Sequence, residues 1–229
     1  MRMRCLIALL LMIMLAVPSI YAQTHAAASA NPLLGKNLIR NGDAEQETNT
    51  MWAPGWQPAQ LLQEAGYGRI AGEWEEGVQG APHGGCCYLR LEWQPDAANA
   101  GNSSRSAFQE IDLTALANDI DHGMVWAKLS AYLGGLIEGN TQTSLTASWQ
   151  DANGKEIGNT ALSPVFTSSI RKPFIGIASL VPREQMTLVP AGTRKAVVTF
   201  AGKATAKGFS YTALGDNLSL VLTEEGIRD

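Results

Sequence analysis

A strict alternation of apolar and polar residues runs through much of this chain and limits its fold more than any other sequence feature. In each of five runs, every second side chain is apolar and the residues between them are mostly polar, small or charged. Successive side chains of a β-strand point to opposite faces, so this period predicts strands with one buried and one water-facing side. The runs are 87–93, 125–133, 145–149, 196–200 and 218–222.

Turn-forming residues separate these runs. The Asn153-Gly154 pair is typical of a tight hairpin turn, because both residues tolerate a positive φ. Only residues 114–120 have a helical pattern, with Thr114 as the expected N-cap. Many short strands with almost no helix predict an all-β fold, an antiparallel β-sandwich. We expect one domain over 37–224 and a short polar tail over 225–229.

The first 22 residues have the pattern of a secretory signal peptide. Arg2 and Arg4 precede an apolar run over 5–20, and Ala22 provides a small residue before cleavage. The run is shorter than the roughly 20 residues that span a bilayer as a helix. We therefore expect an exported protein (extracellular, periplasmic or on the cell surface) with no transmembrane segment in its mature form. Residues 23–36, rich in small side chains, are predicted to be a flexible tether.

Two adjacent cysteines, Cys86 and Cys87, remain after the signal peptide is removed. Neighbouring side chains in a regular strand point apart and cannot form a relaxed disulfide. Two unpaired thiols, a strained ring at a turn and bridges to another chain are the alternatives. We predict a regular strand from Cys86, with Cys87 buried and Cys86 accessible. In an oxidising compartment, Cys86 would then be able to form a disulfide-linked dimer.

Several motifs follow one another in a characteristic order. The chain opens with Asn37-Leu-Ile-Arg-Asn-Gly-Asp-Ala-Glu45 and Gly55-Trp56, and it closes with Asp216-Asn-Leu-Ser-Leu220. Between them lie FQEIDL at 108–113, YLGG at 132–135, WQDANG at 149–154 and VPAGTR at 189–194. In this order the motifs resemble galactose-binding-like jelly-roll domains, a fold shared by secreted bacterial carbohydrate-binding modules. The resemblance covers 37–222 and implies a jelly roll, but it specifies no ligand because this fold hosts many functions.

The same resemblance implies a structural Ca²⁺ where the opening loop meets the last strand. The matching positions are the side chains of Glu45 and Asp216 and the carbonyl of Gly42, with Asp43 nearby. Carboxylate and carbonyl oxygens are the ligands that Ca²⁺ prefers. The alternative is that these acids cap turns and face water. The three histidines are isolated in the sequence, so no catalytic metal is expected.

Aromatic and charged side chains on the water-facing sides of the predicted strands are the candidate ligand site. Sugar recognition uses a flat aromatic face together with polar groups that bind hydroxyls. Neighbouring strands would combine these side chains into one platform, whereas core packing is the alternative for each aromatic residue. Trp56, Trp93 and Trp149 are predicted to be core. The candidates are Tyr88, Arg90, Glu92, Trp126, Lys128 and Tyr132 on strands, and Trp74 in an acidic loop.

The formal net charge of −4, with no basic block, argues against nucleic-acid binding. Nucleophile elbows, phosphate loops and dinucleotide fingerprints are absent from the sequence. We therefore expect a secreted, non-catalytic module that binds a glycan weakly, its partner being a glycan or a cell-envelope component. The alternative is a structural or adhesion domain that contacts protein or the cell envelope. A glycan-active enzyme would draw its carboxylate pair from Glu73, Glu75, Glu76 and Glu92.

Overall fold

A computed structural model describes residues 31–46, 50–67, 81, 85–94, 102–136, 141–170, 180–207 and 210–224. Ten strands, two 3₁₀ turns (Thr114–Leu116 and Thr167–Ser169) and one short helix, α1 (Ala117–Asp121), make up its regular structure. No helix among these residues is long and apolar enough to span a bilayer. The strands are β1 (Leu62–Gly66), β2 (Cys87–Trp93), β3 (Ser104–Asp112), β4 (Trp126–Gly135), β5 (Thr141–Gln150), β6 (Glu156–Ala161), β7 (Val165–Phe166), β8 (Val181–Leu188), β9 (Lys195–Ala204) and β10 (Tyr211–Thr223).

The strands form two antiparallel sheets. Sheet A has the order β1-β2-β10-β4-β8, and sheet B has the order β3-β9-β5-β6 with β7 paired to β5. The apolar residues of the alternating runs meet between the sheets, where Leu129, Leu145, Trp149, Phe200 and Leu220 are fully buried. The predicted antiparallel β-sandwich of the jelly-roll class is therefore confirmed.

The predicted helical stretch is a 3₁₀ turn followed by α1, whose Ile120 is fully buried. Thr114 is not the N-cap that the sequence predicts, because it lies inside the 3₁₀ turn. The Asp112 carboxylate before the turn accepts hydrogen bonds from the Thr114 N–H at 2.8 Å and from its hydroxyl at 2.6 Å. Asp112 therefore satisfies the first free donors of this element.

The segment before the predicted domain start is packed against β10. Leu34 forms a parallel bridge with Leu222, and the Gly35 N–H donates to the Leu222 carbonyl at 2.9 Å. The Asn31 amide also donates to the Ala115 carbonyl at 2.9 Å. The prediction of a flexible tether is thus wrong for residues 31–36. Small and turn-forming residues are typical of a tether, but they carry no signal for pairing with a strand that is distant in the sequence. Residues 1–30 and 225–229 lie outside the described residues.

An irregularity in β10 fixes the opening loop to the last strand. The β10–β4 register shifts between Asp216 and Ser219, where two residues of β10 face one residue of β4. Inside this bulge the Leu218 N–H donates to the Gly42 carbonyl at 2.8 Å, and the Asn37 amide donates to the Leu218 carbonyl at 2.9 Å. A Cβ at Gly42 would collide with the Leu218 carbonyl oxygen, so only glycine allows this close approach.

Candidate binding site on sheet A

One half of the outer face of sheet A is covered. Tyr88 and Leu214 are fully buried there, and Tyr132 packs against them. The rings of Tyr67 and Tyr88 lie 5.1 Å apart in a tilted arrangement. The prediction that Tyr88 offers its ring to a ligand is therefore wrong in this structure. Alternation shows that Tyr88 points away from sheet B, but it does not show whether that face is covered.

The strand order separates the predicted ligand residues into two groups. β10 lies between β2 and β4, so the candidates on β2 do not adjoin those on β4. The expected single platform on neighbouring strands is therefore not formed. On β2, Arg90 forms an ion pair with Glu92 at 2.7 Å, and its cross-strand neighbour is the buried Leu214. Trp74 lies outside the described residues.

The other half of this face is open and contains a cleft of about 320 Å³. The predicted residues Lys128 and Tyr132 line it, together with Glu184 of β8 and Asn217 of the bulge. Lys128 Nζ lies 3.0 Å from Glu184 Oε2, and the two side chains are 36% and 69% exposed. An ion pair this exposed adds little stability, so its partners can rearrange toward a ligand.

Trp126 lies on the same face as this cleft. It comes two residues before Lys128 on β4, which places their Cα atoms roughly 7 Å apart along the strand. The indole is half-buried, and its cross-strand neighbours are Leu188 on β8 and Thr223 on β10. Trp126 is therefore on the same face of β4 as Lys128 and Tyr132, next to the cleft along the strand but not among the residues that line it.

Sequence reasoning missed Glu184 and Asn217. β8 was not predicted, since Pro182 and three consecutive polar residues interrupt any apolar alternation in this strand. Asn217 has a φ of +50°, which asparagine tolerates better than most residues. The Asp216-Asn217 pair, which lies inside β10, was the only sequence signal for this position, and it does not predict the bulge.

Carboxylates gather where the opening loop meets β10. Asp216 is fully buried; its Oδ2 accepts from the Tyr67 hydroxyl at 2.5 Å and its Oδ1 from the Asn217 N–H at 2.6 Å. Burial, together with the negative charges of Glu45 and Asp43, raises the pKa of Asp216 to about 6, although the hydrogen bonds from Tyr67 and Asn217 oppose the shift. Burial also raises the pKa of Glu64 on β1, which feels the same two charges.

These groups include the donors, Glu45, Asp216 and the Gly42 carbonyl, at which the jelly-roll resemblance implies Ca²⁺. None of the ion pairs among the described residues neutralises Glu45, Glu64 or Asp216. The carbonyl of Gly42 accepts from Leu218, yet a carbonyl oxygen has a second lone pair. The available donors are therefore all hard oxygens, as Ca²⁺ requires.

The two cysteines are joined in a vicinal disulfide. Gly85, with a φ of +65°, turns the chain, and β2 begins only at Cys87. The prediction of a regular strand from Cys86 with unpaired thiols is wrong, because the preceding glycine provides the turn at which a ring can close. Neither sulfur is free, so the structure does not support the predicted dimer through Cys86.

A larger cleft, of about 500 Å³, lies at one end of sheet B and is lined mainly by charged and polar groups that pair with one another, as Lys128 and Glu184 do in the sheet A cleft. Arg194 binds Asp121 through two hydrogen bonds at 3.0 and 2.6 Å, and Lys195 lies 3.1 Å from Glu110. No aromatic side chain among the described residues lines this cleft. The cleft beside Trp126 is thus the better candidate for ligand binding.

No family model matches the sequence, and no curated protein matches it either. Solved structures do resemble it. A family 16 carbohydrate-binding module matches with 14% identity and a TM-score of 0.45, covering 81% of this chain and 99% of the module. TmCBM61, solved in complex with β-1,4-galactotriose, matches with 13% identity and a TM-score of 0.43, covering 83% of this chain and 99% of its own.

The enzymatically active domain of tailspike protein 4 from bacteriophage CBA120 also matches, with 12% identity and a TM-score of 0.44. The match covers 82% of this chain but only 22% of the tailspike chain. Two of these three structures are carbohydrate-binding modules, the class that the sequence motifs resemble. At these identities and TM-scores, the likeness supports no conclusion about what this chain binds.

Proposed function

We propose that this protein is a non-catalytic module that binds glycans weakly on the open half of sheet A. The observation that carries this proposal is the cleft that joins Lys128, Tyr132, Glu184 and Asn217, with Trp126 two residues before Lys128 on the same face of β4. The apolar face of a sugar ring would pack on Trp126. The ammonium, carboxylate and amide groups would then bind its hydroxyls, which both donate and accept hydrogen bonds.

Weak binding follows from the shape and chemistry of this surface. The cleft is open to solvent, so a bound sugar keeps part of its surface in water. The Lys128–Glu184 pair must also give up its own contact to engage a hydroxyl. The incomplete burial of the sugar and the lost ion-pair contact both make the free energy of binding less favourable than the contact area alone would give.

A non-catalytic role is supported by the carboxylates of the cleft. Glycoside hydrolysis ordinarily uses two carboxyl groups on either side of the bond that is cleaved. Glu184 is the single carboxylate lining the cleft in the described part of the chain, and it is paired with Lys128. Among the described residues, the carboxylate of the cleft is thus paired with an ammonium group rather than with a second acid.

An adhesion role is the second candidate, and one observation favours it. Met124 comes two residues before Trp126 and is 44% exposed. Leu188 is the neighbour of Trp126 on β8 and is 42% exposed. Exposed apolar side chains beside an aromatic ring also suit a contact with another protein. In that case the same surface would bind a protein of the cell envelope rather than a sugar.

A glycan array followed by isothermal titration on the mature protein tests the two roles. We expect saturable binding to at least one plant, microbial or host glycan, with a dissociation constant in the micromolar to millimolar range. Failure to bind any glycan in the presence of Ca²⁺ would contradict the glycan proposal. Capture of an envelope protein that free glycan does not displace would support adhesion instead.

We also propose that Ca²⁺ binds Glu45, Asp216 and the Gly42 carbonyl and stabilises the fold. An ion that binds only the folded state raises its stability by RT ln(1 + L/Kd), where L is the free ion concentration. Chelation should therefore lower the melting temperature of the native protein, and Glu45→Gln and Asp216→Asn should each remove that sensitivity. Glu110→Gln, on sheet B, is the control and should keep it. Equal melting curves with and without chelator, and no retained metal in mass spectrometry, would contradict the site.

Export after cleavage at Ala22 is part of the same proposal. The Cys86–Cys87 disulfide supports it, since disulfides persist mainly in oxidising compartments. N-terminal sequencing of the protein recovered from outside the cytoplasm should begin at Gln23. An intact Met1 on the functional protein would contradict export by this route.

A further inference from the structure

Three side chains with metal-binding atoms lie together at the start of β2. The carboxylate of Glu45 and the sulfurs of Cys86 and Cys87 all lie within 4.8 Å of one another. Glu45 Oε1 also accepts a hydrogen bond from the Cys87 N–H at 2.8 Å, which holds the carboxylate against the turn. A Cβ at Gly85 would collide with this carboxylate, so the glycine is what lets Glu45 approach.

We propose that Glu45, Cys86 and Cys87 form a redox-gated site for a thiophilic divalent metal such as Zn²⁺. The disulfide form is closed, because bonded sulfurs carry no thiolate charge and do not replace thiolates as ligands. The dithiol form offers two thiolates and one carboxylate, and a water molecule completes the four-coordinate set that Zn²⁺ favours. This site is independent of glycan binding on sheet A.

The opening step needs a reductant, and a dithiol is the class that fits. The dithiol gives two electrons and two protons to the Cys86–Cys87 bond; that bond breaks, two S–H groups form, and the dithiol becomes a disulfide. Zinc then forms two S–Zn bonds and displaces both thiol protons, which pass to solvent. Atoms and charges balance without any further reactant.

Access and ligand chemistry both support this assignment. Cys86 is exposed and Cys87 is half-buried, so a reductant can reach the disulfide from solvent. Adjacent sulfurs chelate one ion without bringing distant segments together, which keeps the entropic cost of assembling the site low. Glu45 is shared with the proposed Ca²⁺ site, but the two ions prefer different ligand atoms. Sulfur ligands favour Zn²⁺, whereas carboxylate and carbonyl oxygens favour Ca²⁺.

Zinc titration of the oxidised and the dithiol-reduced protein tests the proposal. Calorimetry in two buffers of different protonation enthalpy gives both affinity and protons released. We expect the reduced protein to bind one Zn²⁺ with release of up to two protons, at least about 100-fold more tightly than the oxidised protein. Equal zinc affinity in both forms, or no zinc-dependent proton release after reduction, would overturn the proposal.

Matched variants assign the ligands. Cys86→Ser and Cys87→Ser should each abolish the tight binding, and Glu45→Gln should weaken zinc binding by the reduced protein about tenfold or more. Glu110→Gln, a distant exposed carboxylate on β3, should bind zinc as the unmodified chain does. Circular dichroism of every variant separates loss of a ligand from loss of the fold. Zinc affinity unchanged in folded Glu45→Gln would overturn the role of the carboxylate.

Discussion

At the scale of single residues, Asp216 is the most unusual group in the described structure. Its carboxylate is fully buried, and the Tyr67 hydroxyl and the Asn217 N–H supply its two hydrogen bonds. Its nearest charged neighbours are acids, so burial and repulsion together keep its pKa near 6. A buried carboxylate in such surroundings costs stability when it is ionised, unless a cation is bound beside it.

Without Ca²⁺, this chain should become more stable as the pH falls from 7 to 5. The folded pKa of Asp216 lies above its unfolded value, so its favourable contribution is present at low pH and is lost as the pH rises through about 6. The expected gain between pH 7 and pH 5 in chelator is about 1 kcal/mol by denaturant unfolding. Asp216→Asn should flatten this profile. A fall in stability over the same range would contradict the assignment.

At the scale of elements, two junctions position parts of sheet A. The first is the contact of the opening loop with the β10 bulge, and the second is the Cys86–Cys87 turn before β2. The bulge in β10 places Asn217 in the cleft of sheet A, and the opening loop holds that bulge through Gly42 and Asn37. The Cys86–Cys87 turn sets where β2 begins. Both junctions depend on a glycine that leaves room for a neighbouring group, namely Gly42 and Gly85.

Gly42→Ala should weaken the fold at the first junction. The added Cβ would overlap the Leu218 carbonyl oxygen, and the backbone must shift to relieve the overlap. We expect a loss of about 1–3 kcal/mol in the free energy of unfolding, measured by denaturant titration. Unchanged stability would show that the opening loop does not approach β10 as closely as described.

At the second junction, the Cys86–Cys87 disulfide predicts that the native protein has no free thiol there. The non-reduced mature protein should be monomeric, should resist thiol alkylation, and should weigh two hydrogen atoms less than the reduced protein. Intact-mass measurement before and after reduction checks this directly. Alkylation of native Cys86, or a dimer on a non-reducing gel that reduction dissolves, would support the unpaired strand instead.

Sequence patterns identify strands well where one face is apolar and poorly elsewhere. All five alternating runs lie in or beside strands of the sandwich, because burial between two sheets demands that pattern. β1, β3, β6, β7 and β8 were not predicted, since they are short or carry polar residues at most positions. These five strands are at or near sheet edges, where one side of the strand contacts water and strict alternation is not required.

At the scale of the whole molecule, the sandwich follows from the sequence, whereas the candidate site follows from strand order. The position of β10 between β2 and β4 separates the two groups of predicted ligand residues. The burial of Tyr88 closes part of the β2 side, whereas among the described residues the cleft lies on the β4 and β8 side of sheet A. Both facts depend on contacts between segments far apart in the chain, which local residue patterns do not encode.

We propose that a glycan binds to sheet A next to Trp126. Isothermal titration of the mature protein with the best glycan from the array tests it most directly, comparing Trp126→Ala with Phe166→Ala. Phe166 is the matched control, an aromatic residue 40% exposed on β7 of the other sheet. We predict about tenfold or greater loss of affinity for Trp126→Ala, since central aromatic contacts usually cost more than about 1 kcal/mol on truncation, and no change for Phe166→Ala. Unchanged affinity in a folded Trp126→Ala variant would contradict the claim.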